Sequence, residues 1–128
     1  SAARRRALVV EDNPGAFALY QRYLEGTDWE LDAVPHPRLA ADMAAAVKPD
    51  AIILDVIMPE TDGWAILQAL RLCPVTCTVP VIICSVVNDR ELGLSLGASE
   101  YLTKPVSRNQ FIQALERVAQ SRSEAEED

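Results

Sequence analysis

The stretch Ala51-Ile52-Ile53-Leu54-Asp55 places an uninterrupted apolar run directly before an acid. A continuous run of this kind is typical of a strand that is covered on both faces of a parallel sheet. A second run, Val79-Pro80-Val81-Ile82-Ile83-Cys84, stops at Ser85. Its proline lies at the strand entry, where a missing hydrogen-bond donor is tolerated. Both runs therefore predict central strands that end on a polar side chain.

Strand patterns and helix patterns alternate five times along the chain. Apolar residues at helical spacing, such as Phe17, Tyr20 and Leu24, fill the intervals between the strands. Because parallel neighbours need a crossover connection, this alternation predicts an α/β domain with a parallel sheet. The predicted strands are residues 7–10, 29–34, 51–54, 79–84 and 99–102, of which 29–34 is expected to be an edge or half-exposed strand.

Several residues predict where the helices begin and end. Asn13 before Pro14 is expected to cap the first helix, and Gly26 is expected to close it in a left-handed conformation. A short helix over residues 89–96 contains Gly93, which costs about 1 kcal/mol relative to alanine and makes this helix the least stable. The predicted apolar face of the second helix consists of Leu39, Met43 and Val47.

Composition limits the class of protein. The chain has 128 residues, 49% of them apolar and 24% charged, which suits one domain. No apolar run approaches the roughly 18 residues of a membrane span, and no signal peptide is evident, so a cytoplasmic location without membrane contact is expected. The net charge of −7 argues against direct nucleic-acid binding. Three cysteines without zinc-ligand spacing, Cys73, Cys77 and Cys84, are predicted to be reduced, structural thiols.

The predicted strands end on, or lead into, polar residues that could share one site. In open parallel sheets, ligands bind outside the carboxyl ends of the strands. Adjacent carboxylates raise one another's pKa unless a cation intervenes, and Mg²⁺ prefers oxygen ligands of this kind. The pattern therefore favours a site for a divalent cation and a phosphoryl group. Its candidate residues are Glu11, Asp12, Asp55, Ser85, Tyr101 and Lys104.

The ordered set of motifs resembles the receiver domain of two-component response regulators, the CheY-like family. The motifs are Glu11-Asp12, Asp55-Val56-Ile57-Met58-Pro59 with Asp62-Gly63 behind it, Ser85, and Lys104-Pro105. The similarity covers nearly the whole chain. It implies a single doubly wound (βα)5 domain of the flavodoxin-like type, with five parallel strands in the order 2-1-3-4-5.

The resemblance implies that Asp55 accepts a phosphoryl group from the phosphohistidine of a sensor histidine kinase or phosphotransfer protein. Mg²⁺, with Mn²⁺ as an alternative, would be held by Asp12, Asp55 and the backbone carbonyl of Ile57, and Glu11 would act largely through water. Lys104 would pair with the phosphoryl oxygens. Such transfer relies on positioning and charge neutralisation, and the domain would catalyse only its own phosphorylation and slow dephosphorylation.

The resemblance also implies a conformational switch. Ser85 would complete the catalytic set, and Ser85 with Tyr101 would form a switch pair that responds to the added charge. The changed surface would be the face of the fourth helix, fifth strand and fifth helix. The Lys104-Pro105 bond is expected to be cis, which aims the lysine into the site.

Three apolar residues depart from what receivers commonly carry beside the site. Val86 stands where the family usually has alanine or glycine, and it is expected to narrow access to Asp55. Ile57 and Val87 match rate-tuning positions but cannot orient an attacking water by hydrogen bonding. A long-lived phosphoryl group on Asp55 is therefore expected.

Three alternatives remain open at the level of sequence. A pseudo-receiver would be a protein-interaction module that does not use phosphate. A phosphohydrolase of the haloacid-dehalogenase type needs a second acid two positions after the nucleophile, where this chain has Ile57. A flavodoxin needs a hydroxyl- and glycine-rich phosphate loop after the first strand, where Glu11-Asp12 would repel phosphate.

The expected organisation is a flank over residues 1–6, a receiver domain over 7–120, and an acidic polar tail or linker over 121–128. Beyond Gln120 the last helix is expected to give way to this linker or to a frayed end. The chain is either a stand-alone receiver or part of a larger regulator or hybrid kinase. The partners expected are a kinase, an output domain where the chain belongs to such a larger protein, and a second copy in a weak homodimer.

Overall fold

The computed structural model describes residues 4–127, and the side chains of residues 4–125. Its parallel strands are β1 Arg5–Val10, β2 Trp29–Ala33, β3 Ala51–Leu54, β4 Val81–Ser85 and β5 Glu100–Thr103. They form one sheet in the order β2-β1-β3-β4-β5. The predicted doubly wound fold and strand order are confirmed.

Five helices connect the strands, and a 3-10 turn, Pro37–Leu39, precedes the second helix. A short antiparallel hairpin, Ile57–Met58 with Thr61–Asp62, follows β3. None of the helices in the described part of the chain is both long and apolar enough to cross a membrane. The helices are α1 Pro14–Tyr23, α2 Ala40–Val47, α3 Gly63–Leu72, α4 Arg90–Ser95 and α5 Arg108–Glu127.

The sheet has a hydrophobic core on each face. Along β3, Ile52 and Leu54 belong to the core that includes residues of α2 and α3, whereas Ala51 and Ile53 belong to the core that includes residues of α1 and α5. All four of these side chains are buried. Because successive strand residues point to opposite faces, only an apolar run without polar interruption fits this position.

The predicted ends of α1 are present. The Asn13 side chain accepts a hydrogen bond from the Gly15 N–H at 2.8 Å, and Pro14 occupies the first turn. Gly26 adopts a φ of +82° in the turn that follows, a conformation that costs other residues more. The connection from α1 to β2 therefore follows from local sequence.

The first strand begins earlier than predicted, because Arg5 and Arg6 belong to it. Arg5 pairs in register with Trp29, and its guanidinium lies 4.6 Å from the centroid of the Trp29 ring. The same guanidinium forms ion pairs with Asp28 and Glu116. These partners are distant in sequence, so a pattern search around residues 4–6 could not identify them.

Two helices also differ from the prediction. The fully buried residues of α2 are Ala40 and Ala44, beside the predicted face. Of that face, Met43 is partly buried against the core, whereas Leu39 belongs to the preceding 3-10 turn and is exposed. Helix α5 continues to Glu127, through the segment predicted to be a linker or frayed end. In this extension Arg122 donates a hydrogen bond to the Pro49 carbonyl at 3.0 Å, which ties the helix to the start of β3.

Candidate functional site

The candidate site lies at the carboxyl ends of β1 and β3. Val10 is paired with Leu54 in register, so the residues after both strands are neighbours. Among the described residues, Glu11, Asp12 and Asp55 each offer a carboxylate oxygen within 4.8 Å of the others. Asp12 is exposed, whereas Asp55 is buried. The structure thus brings together the three acids identified in the sequence.

Asp55 is held in place by two donors. Its Oδ1 atom accepts a hydrogen bond from the Ile57 N–H at 2.8 Å, and its Oδ2 atom accepts one from Lys104 Nζ at 3.2 Å. The Asp55 N–H donates to the Val10 carbonyl at 3.0 Å, which continues the pairing of β1 and β3 past the strand end. Both the backbone and the carboxylate of Asp55 are therefore fixed.

Lys104 enters the site from the end of β5. Its N–H donates to the Ser85 carbonyl at 2.8 Å, and its peptide bond to Pro105 is cis. Besides Asp55, its Nζ contacts Glu11 Oε2 at 2.7 Å. Burial would lower the pKa of Lys104, but the hydrogen bond to Glu11 and the charges of both acids outweigh it, so the pKa lies above its ordinary value. Lys104 is therefore a permanent cation at neutral pH.

Glu11 makes a direct ion pair that the sequence did not indicate. Its side chain is only 2% exposed, and its Oε1 atom accepts a hydrogen bond from the Asn13 N–H at 3.2 Å. The pKa of the Glu11 carboxyl is raised, chiefly by burial. The hydrogen bond from Lys104 lowers this pKa in part, and the negative charge of Asp55 raises it further. The opposite charges of Glu11 and Lys104 thus neutralise one another within the site.

Ser85 and Tyr101 lie on the neighbouring strands β4 and β5. Ser85 is fully buried, and its Oγ atom has no hydrogen-bond partner among the described residues. The Tyr101 hydroxyl donates to the Val87 carbonyl and accepts from the Asp89 N–H at 3.0 Å. Tyr101 is therefore buried at the entry to α4, although β5 is an edge strand.

Gly93 explains how Tyr101 fits beneath α4. A Cβ atom at this position would lie 2.7 Å from Tyr101 Cδ2 and 3.0 Å from Ile83 Cδ1. The sequence indicated only the cost of a glycine within a helix. The structure shows the compensating benefit, which is room for an aromatic ring.

The three apolar residues beside the site are at the surface. Ile57 is 48% exposed, Val86 66% and Val87 38%. Val86 also lines a groove of about 400 Å³ together with Lys104, Pro105 and residues of α1. All three side chains are hydrocarbons, so they neither donate nor accept hydrogen bonds.

Gly63 is a positioning residue whose role the sequence did not reveal. A Cβ atom here would lie 2.3 Å from Val56 Cα and 2.8 Å from the Asp55 carbonyl oxygen. These are backbone atoms, which cannot move aside as a flexible side chain can. The Asp62-Gly63 pair in the sequence was the available signal, since Asp62 caps α3 through the Trp64 N–H at 3.0 Å.

Gly63→Ala is expected to lower the free energy of unfolding by about 2 kcal/mol, because overpacking against backbone outweighs the gain in helix propensity. Urea unfolding would measure the change. Gly15→Ala is the matched control, since its Cβ would meet only the Asn13 side chain, at 3.1 Å. Equal stability of the Gly63→Ala and wild-type chains would contradict the assigned role.

Comparisons with known proteins agree with this geometry. The model of the response regulator receiver domain family matches residues 7–116. Response regulator PleD of Caulobacter vibrioides is 36% identical over 104 residues, which are 79% of this chain and 23% of that protein. Transcriptional regulatory protein PrrA of Mycobacterium leprae is 38% identical over 103 residues, which are 78% of this chain and 43% of that protein. The chain therefore spans less than half the length of these curated relatives.

A solved structure is similar over almost its entire length. The receiver domain of sensor histidine kinase PA1611 from Pseudomonas aeruginosa, crystallised with a magnesium ion coordinated in its active-site cleft, is 28% identical. It matches with a TM-score of 0.81 and covers 92% of this chain and 99% of that chain. The resemblance noted in the sequence is confirmed by these matches. The chain belongs to the response regulator receiver domain family.

Proposed function

We propose that this domain accepts a phosphoryl group on Asp55 from the phosphohistidine of a sensor histidine kinase or phosphotransfer protein. The observation that carries the proposal is the Asp55 carboxylate, which is held by the Ile57 N–H and by Lys104 beside two further acids. Relatives named as response regulators and a similar receiver from a histidine kinase support this partner class. An output domain elsewhere in the full-length protein would read the signal.

In the proposed reaction an Asp55 oxygen attacks the phosphorus atom. A P–O bond forms as the P–N bond to the histidine breaks, and the imidazole retains the electron pair. Lys104 offers its ammonium to the phosphoryl oxygens, and Ser85 offers a hydroxyl that has no other described partner. The chain thus contributes an aligned nucleophile and charge neutralisation, which is how phosphoryl transfer is generally catalysed.

The donor set fits a divalent cation. Three carboxylate oxygens within 4.8 Å of one another are hard ligands of the type that Mg²⁺ and Mn²⁺ take. Asp12, Asp55 and the Ile57 carbonyl would hold the ion, and Glu11 would act through water. A bound Mg²⁺ supplies neutralisation of the charge on the transferred group.

The test is transfer of radiolabel from a phosphohistidine donor to the purified chain, with Mg²⁺ and with a chelator. Label that is stable during gel electrophoresis, labile to hydroxylamine and dependent on the cation is expected for an aspartyl phosphate. Absence of label from every donor of this kind would overturn the proposal.

One observation favours the alternative of a pseudo-receiver that does not use phosphate. The ion pair between Lys104 and Glu11 compensates one carboxylate without a metal ion. Under this alternative the chain would take no label, and Mg²⁺ would not change its stability. The transfer experiment therefore separates the two functions.

The phosphoryl group is expected to be long-lived on the isolated domain. Ile57 and Val87 lie at the rim and cannot orient a water for attack, so hydrolysis should depend on water that the protein does not position. Loss of label after removal of the donor would measure the lifetime. A half-life of only seconds would contradict this expectation.

We further propose that phosphorylation changes the face formed by α4, β5 and α5. The added charge would draw the Ser85 hydroxyl inward and change the position of the Tyr101 ring. The hydroxyl of Tyr101 now bonds to Val87 and Asp89 at the start of α4. Helix α4 is short and contains Gly93, so a small change in its contacts can move it. Backbone amide shifts of residues 87–103 should change on addition of beryllofluoride, a phosphoryl mimic. Unchanged shifts there, with changes at Asp55, would contradict the switch.

A further inference from the structure

Two cysteines lie in one tight turn between α3 and β4. The Cys77 N–H donates to the Cys73 carbonyl at 2.8 Å, which closes a five-residue turn of helical type. Such a turn holds its first and last Cα atoms about 6 Å apart, within the roughly 4.4–6.8 Å found across disulfides. The Cys77 thiol folds back over the turn, because its Sγ atom lies 3.5 Å from the carbonyl oxygen of Pro74, the residue next to Cys73.

Both thiols can be reached from solvent, unlike the third cysteine. Cys77 is exposed and Cys73 is partly exposed, whereas Cys84 is buried and accepts a hydrogen bond from the Tyr20 hydroxyl at 3.1 Å. The expectation of structural thiols therefore suits Cys84 and does not explain the pair in the turn.

The surroundings of the turn favour reaction at Cys73. The backbone N–H of Val75, assisted by Thr76, lowers the pKa of the Cys73 thiol. The charge of Arg71, whose guanidinium donates to the carbonyls of Thr76 and Val79, interacts with Cys77, the other member of the pair. A lowered thiol pKa and access to solvent are features of reactive cysteines.

We propose that Cys73 and Cys77 form a reversible redox pair that is oxidised to an intramolecular disulfide by hydroperoxides. The Cys73 thiolate attacks a peroxide oxygen, the O–O bond breaks, and a sulfenic acid and hydroxide form. The Cys77 thiolate then attacks the Cys73 sulfur, the S–S bond forms, and a second hydroxide leaves. With two thiol protons, the balance for hydrogen peroxide is one disulfide and two waters.

Thr76, between the two cysteines, anchors the turn. It is fully buried, and its hydroxyl donates to the Leu70 carbonyl at 2.8 Å. The backbone of the turn is therefore tied to the end of α3.

The turn lies at the opposite end of the sheet from the phosphorylation site. It precedes β4, whereas Asp55 and Ser85 are at the carboxyl ends of their strands. The proposal and its test do not involve Asp55, so they are independent of the proposed function.

The experiment treats the reduced, reductant-free chain with hydrogen peroxide and follows the intact mass. A decrease equal to two hydrogen atoms is expected, and dithiothreitol should reverse it. All three cysteines lie in the tryptic fragment of residues 72–90, so tandem mass spectrometry must locate the bond. Cys84 should be alkylated only after unfolding.

The control variants are Cys77→Ser and Cys73→Ser, both at accessible positions. Cys77→Ser should abolish the mass decrease and leave a sulfenic acid on Cys73 that dimedone traps. Cys73→Ser should abolish both products. A disulfide that involves Cys84, only intermolecular disulfides, or no disulfide in a chain whose Cys73 and Cys77 are readily alkylated would overturn the proposal.

Discussion

Asp55→Asn is expected to abolish phosphoryl incorporation, because the amide that replaces the carboxylate is not a nucleophile for phosphorus. The substitution keeps the size of the side chain and can retain the hydrogen bond from the Ile57 N–H, which now ends on Oδ1 at 2.8 Å. It removes the charge that faces Lys104 at 3.2 Å. Loss of label should therefore reflect chemistry, with the fold preserved. Radiolabel transfer from a phosphohistidine donor would measure it.

Asp42→Asn is the matched control for this experiment, because Asp42 is an exposed aspartate on α2. It should retain full incorporation. Circular dichroism and thermal unfolding of both variants would establish that they fold. Label that persists in Asp55→Asn at the wild-type level would show that another residue accepts the phosphoryl group and would overturn the assignment.

Lys104→Met is expected to lower the free energy of unfolding by about 3 kcal/mol in the absence of divalent cations. Lys104 is the partner of two acids whose side chains are only 2% and 8% exposed, Glu11 and Asp55. Removing the ammonium leaves two buried negative charges side by side. Such an uncompensated pair costs far more than a lost surface ion pair. Urea unfolding would measure the difference.

Addition of Mg²⁺ should restore part of the stability lost in Lys104→Met, because a cation that binds only the folded state stabilises it. Arg117→Met is the control, since it breaks the more exposed ion pair with Glu100 and should cost less than about 1 kcal/mol. The control should not respond to the cation. If Mg²⁺ leaves Lys104→Met unchanged, the three acids do not bind the ion and the pseudo-receiver is favoured.

The predictable part of the fold came from features that act locally. The apolar runs before Asp55 and Ser85 become central strands because a strand with helices on both faces cannot place a polar side chain in either core. The cap at Asn13 and the left-handed Gly26 depend only on their own turns. In each case a few neighbouring residues determine the backbone conformation.

The differences between the expected and observed elements concern contacts between distant segments. Arg5 joins β1 because Trp29 and Glu116 provide partners for it, and α5 extends past Gln120 with Arg122 bonded to Pro49. Composition near the chain ends indicated only polar, charged segments. A segment of this kind becomes ordered when another part of the fold supplies partners, and the sequence of the segment does not contain that information.

The candidate site, like the fold, has features that follow from local sequence and features that depend on distant contacts. The sequence by itself determined the family, the parallel sheet and the identity of the polar residues at its carboxyl edge, because strand order and side-chain alternation bring those residues to one place. Only the tertiary structure decided that Lys104 pairs with Glu11 as well as Asp55, that Gly63 packs against the backbone of Val56, and that Gly93 leaves room for Tyr101. These contacts depend on distances of a few ångströms between residues far apart in the chain, which are set by how the helices pack on the sheet and not by any local pattern.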